Sequence, residues 1–477
     1  MKNTSFLGFR FLRLVTVVCV LMGAGVFPVS AQTQLPQTAQ DILNQLDTSP
    51  ADDNYAVTAA YVAQFYPLWF TYNQSRFDNL LGTANTMVGP AQVSPIYHFV
   101  AAINYDTLYS SVYLNVSTEP VLITIPSTAE TDVQYSVLLL DPYGTEFPSG
   151  IPPQTPGVYA YTGPDFTGTL PECVTRISLP LNYMNFFIRT VKYPNGQNGI
   201  AEAEKFRASL KTQTLSKYLK NPAGGSTTIL PELIFAFSYK LSADNLIAER
   251  PITFLKQLQE AVAAPNTPPF SLPEQALSKR FNALFGDGES NQAEFSAGAQ
   301  KAHELIVAAY LTQLGPTYWN HFTNIGNWGS NILDRAAITE YLQLSNGIST
   351  AAYYHTFSDG AGLPLDGSNE KTYVLRFRAD QIPQAKRFWS VTAYTPHAIE
   401  LVPNLASKYL VASYTPELHY ETDGSVEIYM SARRPSGVPA ANWLPIPPGK
   451  FNIVLRVYGP DGDVADNTYI PPAVEKR

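Results

Sequence analysis

"VLITIPSTAETDVQYSVLLLDPYG", Val121–Gly144, holds two apolar, β-branched-rich runs parted by a polar segment and closed by Asp-Pro-Tyr-Gly. Short runs of this kind between turn residues read as strands. The pattern returns in "YVLRFRADQIPQAKRFWSVTAYTP", Tyr373–Pro396, and each copy is followed later by a strand that carries an arginine into a Pro-Gly turn: "FFIRTVKYPNG" and "IVLRVYGPDG". Val121 to Ser136 is 15 residues and Val374 to Ser390 is 16. Arg189 and Arg456 follow those serines by 53 and 66 residues, a difference that an enlarged loop absorbs. The chain therefore reads as two diverged copies of one β-sandwich unit.

Outward from these copies the periodicity changes. "AQDILNQL" and "YAVTAAYVAQFYPLWFTYNQ" space apolar residues by three and four, which predicts helix over residues 39–75. Helical pattern returns between residues 200 and 344, in "AEAEKFRASLKTQTLSKYL", "ITFLKQLQEAVAA", "PEQALSKRFNALF", "AEFSAGAQKAHELIVAAYLTQL" and "ILDRAAITEYLQL". The expected organisation is a helical segment over 32–90, a first β unit over 91–199, a helical segment over 200–345 and a second β unit over 346–477. The fold class is α+β, mainly β with a helical middle.

The first residues predict export. Lys2, Arg10 and Arg13 precede the 14-residue apolar run "LVTVVCVLMGAGVF", shorter than the ~20 residues that span a bilayer. Val29, Ser30 and Ala31 supply the small residues of a cleavage site, so residues 1–31 read as a signal peptide. A periplasmic or secreted protein with no integral membrane segment after cleavage is expected. Removing those residues leaves 28 Lys+Arg against 39 Asp+Glu, a net charge of -11, which gives no electrostatic reason to expect nucleic acid. Cys173 then stands alone, so no internal disulfide forms and the core must carry the stability.

Chemistry-bearing residues concentrate in "INYDTLYSSVYLNV", Ile103–Val116. Alternation puts Leu108, Ser110, Val112 and Leu114 on one face and Tyr109, Ser111 and Tyr113 on the other. Asn104 and Asp106 fall at the strand entrance, where Asp106 either caps a turn or lines a polar pocket with Asn104 and Tyr109 as general base or acceptor. Asp141, before Pro-Tyr-Gly, is a turn residue or the second carboxylate of an acid/base pair. Arginines within apolar strands need a partner, so Arg189 is expected to pair with Asp106 or Asp141, or to clamp an anionic ligand. His98 is the shortlisted histidine. Tyr143 and Trp389 are aromatic candidates for stacking on a ligand, against the commoner role of aromatics in a sandwich core. No zinc spacing, nucleophile elbow, P-loop or dinucleotide fingerprint occurs. Neither metal nor cofactor is expected.

"NYDTLYS" and "YSVLLLDPYG" resemble domain-of-unknown-function family 1254, and "DRAAITEYL", "DGAGLPLDGSNEKTYVLRF", "FWSVTAY", "NWLPIPPG" and "LRVYGP", in that order, resemble family 1214. The first family usually has arginine where Tyr105 stands. The resemblance implies two jelly-roll-like antiparallel β-sandwich domains joined by helices, and it implies no activity. Three functions follow as expectations. The leading one is an exported protein that binds a glycan or small polar ligand at the end of a β-sandwich. The second is a hydrolase using Asp106 and Asp141, with His98. The third is an interaction protein that assembles through its jelly-roll faces.

Overall fold

The computed structural model describes residues 35–47 and 53–477, so the expected signal peptide lies outside the described residues. Helix α1 (Ala39–Leu46) opens on a capping box, with Thr38 accepting from the Asp41 amide and the Asp41 carboxylate accepting from the Thr38 amide. Helix α2 (Asp53–Leu80) is buried on every side from Ala56 to Phe70, as expected of a helix apolar all round its circumference. It becomes the axis of a bundle because later helices close on it.

The first β unit follows as β1 (Met87–Pro90), β2 (Thr107–Asn115), β3 (Val121–Ile125), β4 (Tyr135–Leu140), β5 (Glu146–Phe147), β6 (Gly157–Thr162), β7 (Val174–Ser178) and β8 (Tyr183–Val191). After α3 (Ile200–Ser209) come β9 (Lys211–Thr214), α4 (Leu215–Lys220) and β10 (Thr227–Leu230). Helices α5 (Tyr239–Glu249), α6 (Pro251–Ala263), α7 (Leu272–Phe285), α8 (Gln292–Leu311) and α9 (Ile332–Tyr341) complete the bundle. Helix α2 packs against α1 and α6 to α9, so the two helical segments form one body. The approach is close at Gly298 of α8, where a Cβ would stand 2.5 Å from the Tyr55 carbonyl oxygen.

The second β unit runs β11 (Ala351–Thr356), β12 (Tyr373–Phe377), β13 (Ala385–Tyr394), β14 (Leu410–Ala412), β15 (Val426–Ser431), β16 (Trp443–Pro445), β17 (Asn452–Pro460), the short α10 (Gly462–Ala465) and β18 (Val474–Lys476).

Sheet topology bears out the duplication. The first unit has sheets ordered β10-β1-β2-β8-β4-β5 and β7-β6-β3-β9; the second has β11-β17-β13-β14 and β16-β15-β12-β18. With β2 set against β11 and each later strand against the next, all eight strands of one unit find their counterparts, and β1 and β10 extend the first unit's edge. The senses agree as well. The pairs β6/β7 and β15/β16 run parallel and the other counterpart pairs antiparallel, and β1/β10 is parallel too, which corrects the all-antiparallel expectation at two edges of the first unit and one of the second.

Within each unit the two sheets share a buried core. Val112, Leu114, Phe186 and Ile188 meet Ile123, Tyr159 and Tyr161 in the first; Trp389, Val391 and Leu455 meet Leu375, Phe377 and Ile428 in the second. The alternate residues of β11, β13 and β17, among them Tyr353, Phe388, Tyr394 and Tyr458, turn the other way and join the core of the helical bundle. The first unit also reaches beyond 91–199, because β1, β9 and β10 belong to its sheets. No helix among the described residues is long and apolar enough to cross a membrane.

Candidate functional site

Two buried arginines face each other's units. In the first, Tyr109 of β2 lies opposite Arg189 of β8, which lies opposite Ser136 of β4. In the second, Tyr353 of β11, Arg456 of β17 and Ser390 of β13 occupy the same places. Alternation sends both arginines out of their own sheet cores and toward the other unit.

The bonds they make are crossed. Arg189 donates to the Leu344 carbonyl at 2.6 Å and to Asn346 Oδ1 at 2.7 Å, both in the lead-in to β11. Arg456 donates to the Ala102 carbonyl at 2.5 Å, in the lead-in to β2. Ala102 and Leu344 both adopt positive φ, +53° and +58°, and each stands two residues before an asparagine. Asn104 donates its backbone N–H to the Tyr109 hydroxyl at 3.2 Å, and Asn346 donates its own to the Tyr353 hydroxyl at 3.1 Å. Each lead-in is thus tied to its own strand by an Asn–Tyr bond and to the opposite unit by an arginine.

Between them lies a cavity of about 60 Å³, bounded by Asn104, Tyr109, Arg189, Tyr353, Arg456 and Tyr458, and also by Asp78. It has room for about four waters or a small ligand group. Arg456 is 1% exposed, and its Nε and Nη1 have no hydrogen-bond partner among the described residues. A buried, ionised donor without an acceptor is costly. Burial opposes the charge on Arg456, but the phenols of Tyr394 and Tyr458 and the Asp106 carboxylate offset it and the guanidinium stays charged. Burial pushes the Tyr109 and Tyr458 phenols up, so they remain neutral donors. Burial also raises Asp78 to about 6, against the bonds from Gln74 and Thr83.

A second cavity, of about 80 Å³, adjoins the first and shares Phe99, Phe187 and Leu344 with it. Its walls are mostly apolar, including Phe70, Leu140, Trp328 and Ile338, with Asp141 at one side.

The structure brings together Asn104, Tyr109 and Arg189 from the sequence candidates and disperses the rest. Asp106 is fully buried, but its carboxylate accepts from Tyr414 Oη at 2.5 Å and Ser390 Oγ at 2.9 Å, binding the first unit to the second outside the cavity wall. The turn at the strand entrance is capped by Asn104, whose Oδ1 accepts the Asp106 amide at 2.5 Å. Asp141 is held in its own turn, accepting from the Tyr143 and Thr145 amides at 2.9 and 2.8 Å. Asp106 lies beside Lys192, at one end of β8, and Asp141 follows Leu140, which faces Asn185 at the other end. Seven strand residues separate those ends by roughly 20 Å, whereas an acid/base pair needs its carboxyls within about 5–9.5 Å. The two carboxylates are not brought together, and Arg189 is bonded to neither.

His98 Nδ1 stands 2.9 Å from Glu400, away from both carboxylates. Tyr143 lies under the Arg335 guanidinium, 4.1 Å from it, with its hydroxyl 3.3 Å from Glu274. Trp389 is 2% exposed in the second unit's core, against Phe377, so it stacks on protein and not on a ligand. Tyr105 is covered by the Lys192 ammonium at 3.7 Å and by Tyr409. Tyr353, Tyr458, Asn346 and the Leu344 carbonyl were missed. Extending the duplication upstream, so that the Asn104–Tyr109 pair was sought again before β17's partner strand, would have found Asn346 and Tyr353.

Among the described residues, one histidine-carboxylate group is close enough to hold a metal: Asp244, His303 and Glu340 in the helical bundle. Lys240 bonds both carboxylates there, to Asp244 at 2.9 Å and to Glu340 more closely, so an ammonium already takes the cation's place.

Two family models and two solved structures are similar to this chain. A family model described as a protein of unknown function (DUF1254) matches residues 84–214, and one described as a protein of unknown function (DUF1214) matches 350–462. The crystal structure of the VPA0106 protein from Vibrio parahaemolyticus is similar over 88% of this chain and 99% of that one, at 20% identity and a TM-score of 0.56. An uncharacterized protein from Burkholderia cenocepacia is similar over 92% of this chain and 98% of its own, at 12% identity and a TM-score of 0.43. No curated protein matches the chain.

Proposed function

We propose that this protein, a DUF1254 region followed by a DUF1214 region, is a binding protein for a small carboxylate held between its two β units. We read each unit as a jelly-roll-like sandwich, the first with two parallel edge pairs and the second with one, exported behind the signal peptide expected at residues 1–31. The observation that carries the reading is Arg456, charged and buried beside a cavity with two donor positions unanswered. Nη2 is held by the Ala102 carbonyl and the open Nε–H and Nη1–H point to different sides of the guanidinium, so a carboxylate takes a single in-plane, charge-assisted bond from one of them. The Tyr109 and Tyr353 hydroxyls can donate to the same group. The enclosed volume suits one small polar group better than a glycan chain. The hydrolase reading loses its support with the separation of Asp106 from Asp141.

The test is a thermal-shift and calorimetric comparison of propionate, butyrate and benzoate with their primary amides, on wild type and on Arg456→Met. The expected result is binding of the acids in preference to the amides, weakened about ten-fold or more in the variant. Equal binding of acids and amides, or acid binding that Arg456→Met leaves intact, would overturn the reading.

A further inference from the structure

The two cavities form one amphipathic site, and this inference rests on the carboxylate reading above. We infer that the ligand is a monocarboxylic acid with an unbranched apolar body, its carboxylate on Arg456 and its tail in the chamber lined by Phe70, Trp328 and Ile338. Three observations carry it.

First, the cavities are adjacent. Phe99, Phe187 and Leu344 wall both, and β8 runs along the pair, sending Asn185 into the apolar chamber, Phe187 into the shared wall and Arg189 into the basic one. Four strand residues from Asn185 to Arg189 cover roughly 13 Å. At ~1.5 Å per carbon–carbon bond, shortened by the zigzag, that length suits an acid of roughly eight to ten carbons.

Second, the chemistry divides. The basic chamber holds the guanidiniums and phenol hydroxyls, with Asp78 also in its wall; the other has the larger apolar share, from Phe70 of α2, Ile338 of α9 and Trp328 before α9, with Asn185, Gln343 and Asp141 among its polar lining. Several polar atoms of the apolar chamber are occupied within the protein, although the Tyr239 hydroxyl is buried without a partner among the described residues. The Trp328 indole N–H donates to the Gly144 carbonyl at 3.1 Å, and Asp141 Oδ1 accepts from two amides of its own turn. A tail there gives up no hydrogen bond and buries methylenes.

Third, the charge distribution excludes a diacid. The Asp141 carboxylate stands at the wall of the apolar chamber, so a second carboxylate on the tail would meet a like charge in a poorly solvated place.

The test is titration calorimetry of the full chain with linear acids from C4 to C14, with sebacate as the matched diacid of decanoate, on wild type and on Arg456→Met and Thr339→Phe. Thr339 lines the apolar chamber only, and its hydroxyl bonds the carbonyl of Arg335 within its own helix at 2.9 Å, so the larger side chain fills the tail space without touching the basic chamber. In wild type, affinity should rise about four-fold per added methylene, level off near C8 to C10, and drop at least ten-fold for sebacate. Thr339→Phe should move the break to shorter acids and leave butyrate unchanged. The wild-type length series stands even if a variant fails to fold. Affinity that is flat with chain length while Arg456→Met still abolishes it would overturn the tail assignment alone. Acid binding that rises with length but ignores Arg456→Met would overturn the carboxylate reading and this inference with it.

Discussion

The Asp106 carboxylate joins Tyr414 and Ser390 inside a fully buried contact between the two units, so its replacement should be felt in stability before it is felt in binding. Asn has one acceptor oxygen where Asp has two, leaving one hydroxyl facing an N–H. Asp106→Asn is expected to cost about 1.5–3 kcal/mol, read as a lower urea midpoint at unchanged slope, while affinity for a cavity-bound acid stays within about three-fold. A large loss of affinity at unchanged stability would show Asp106 acting on the ligand. The polar density of "NYDTLYS" was legible in the sequence, and Tyr109 and Arg189 were read as site residues. The direction of Asp106 was not, because it depends on Ser390 and Tyr414, roughly 300 residues downstream.

At the scale of elements, long apolar periodicities located α1, α2 and α6 to α9, whereas "KTQT" was absorbed into a helix. Lys211–Thr214 is instead the strand β9, pairing with β3 from Val121↔Thr214 to Thr124↔Lys211. Its two threonines favour strand more than the flanking residues do, and pairing along the edge of β3 completes the element. The same edge logic explains Gly89. Its position in β1 would put a Cβ 2.1 Å from the Tyr109 carbonyl oxygen, and backbone at that distance cannot yield as a flexible side chain would. Gly89→Ala is expected to destabilise the fold by about 1–3 kcal/mol and to weaken ligand binding as well, because β2 carries Tyr109. A thermal melt matching wild type would show that β1 and β2 can separate without consequence.

At the scale of the molecule, the duplication was visible in paired strands and arginines. The crossed contacts that make one site from two units were not, since no local pattern states which unit faces which. The helical body adds its own electrostatic constraint. His303 lies 3.4 Å from Asp244 and 3.6 Å from Glu340, with Lys240 between the same carboxylates and Tyr66 bonded to Glu340. Burial alone would lower His303, but the bonds to Asp244 and Glu340 prevail and raise it to about 9. A folded value above the unfolded ~6.5 means a contribution present in full below about pH 6.5 and lost as pH climbs through about 9. Stability should fall by about 2–3 kcal/mol across that window, and His303→Gln should flatten the urea-midpoint profile. An unchanged profile in the variant would place the titration elsewhere.

The central claim, one carboxylate site assembled from both β units, is tested most directly by a crystal structure with 8-bromooctanoate. The bromine's anomalous signal locates the tail independently of the carboxylate density. The account predicts bromine among Phe70, Trp328 and Ile338 and the carboxylate on one of the free donors of Arg456. Bromine on the protein surface, or a carboxylate bound away from Arg456 with the cavity between the units unoccupied, would contradict it.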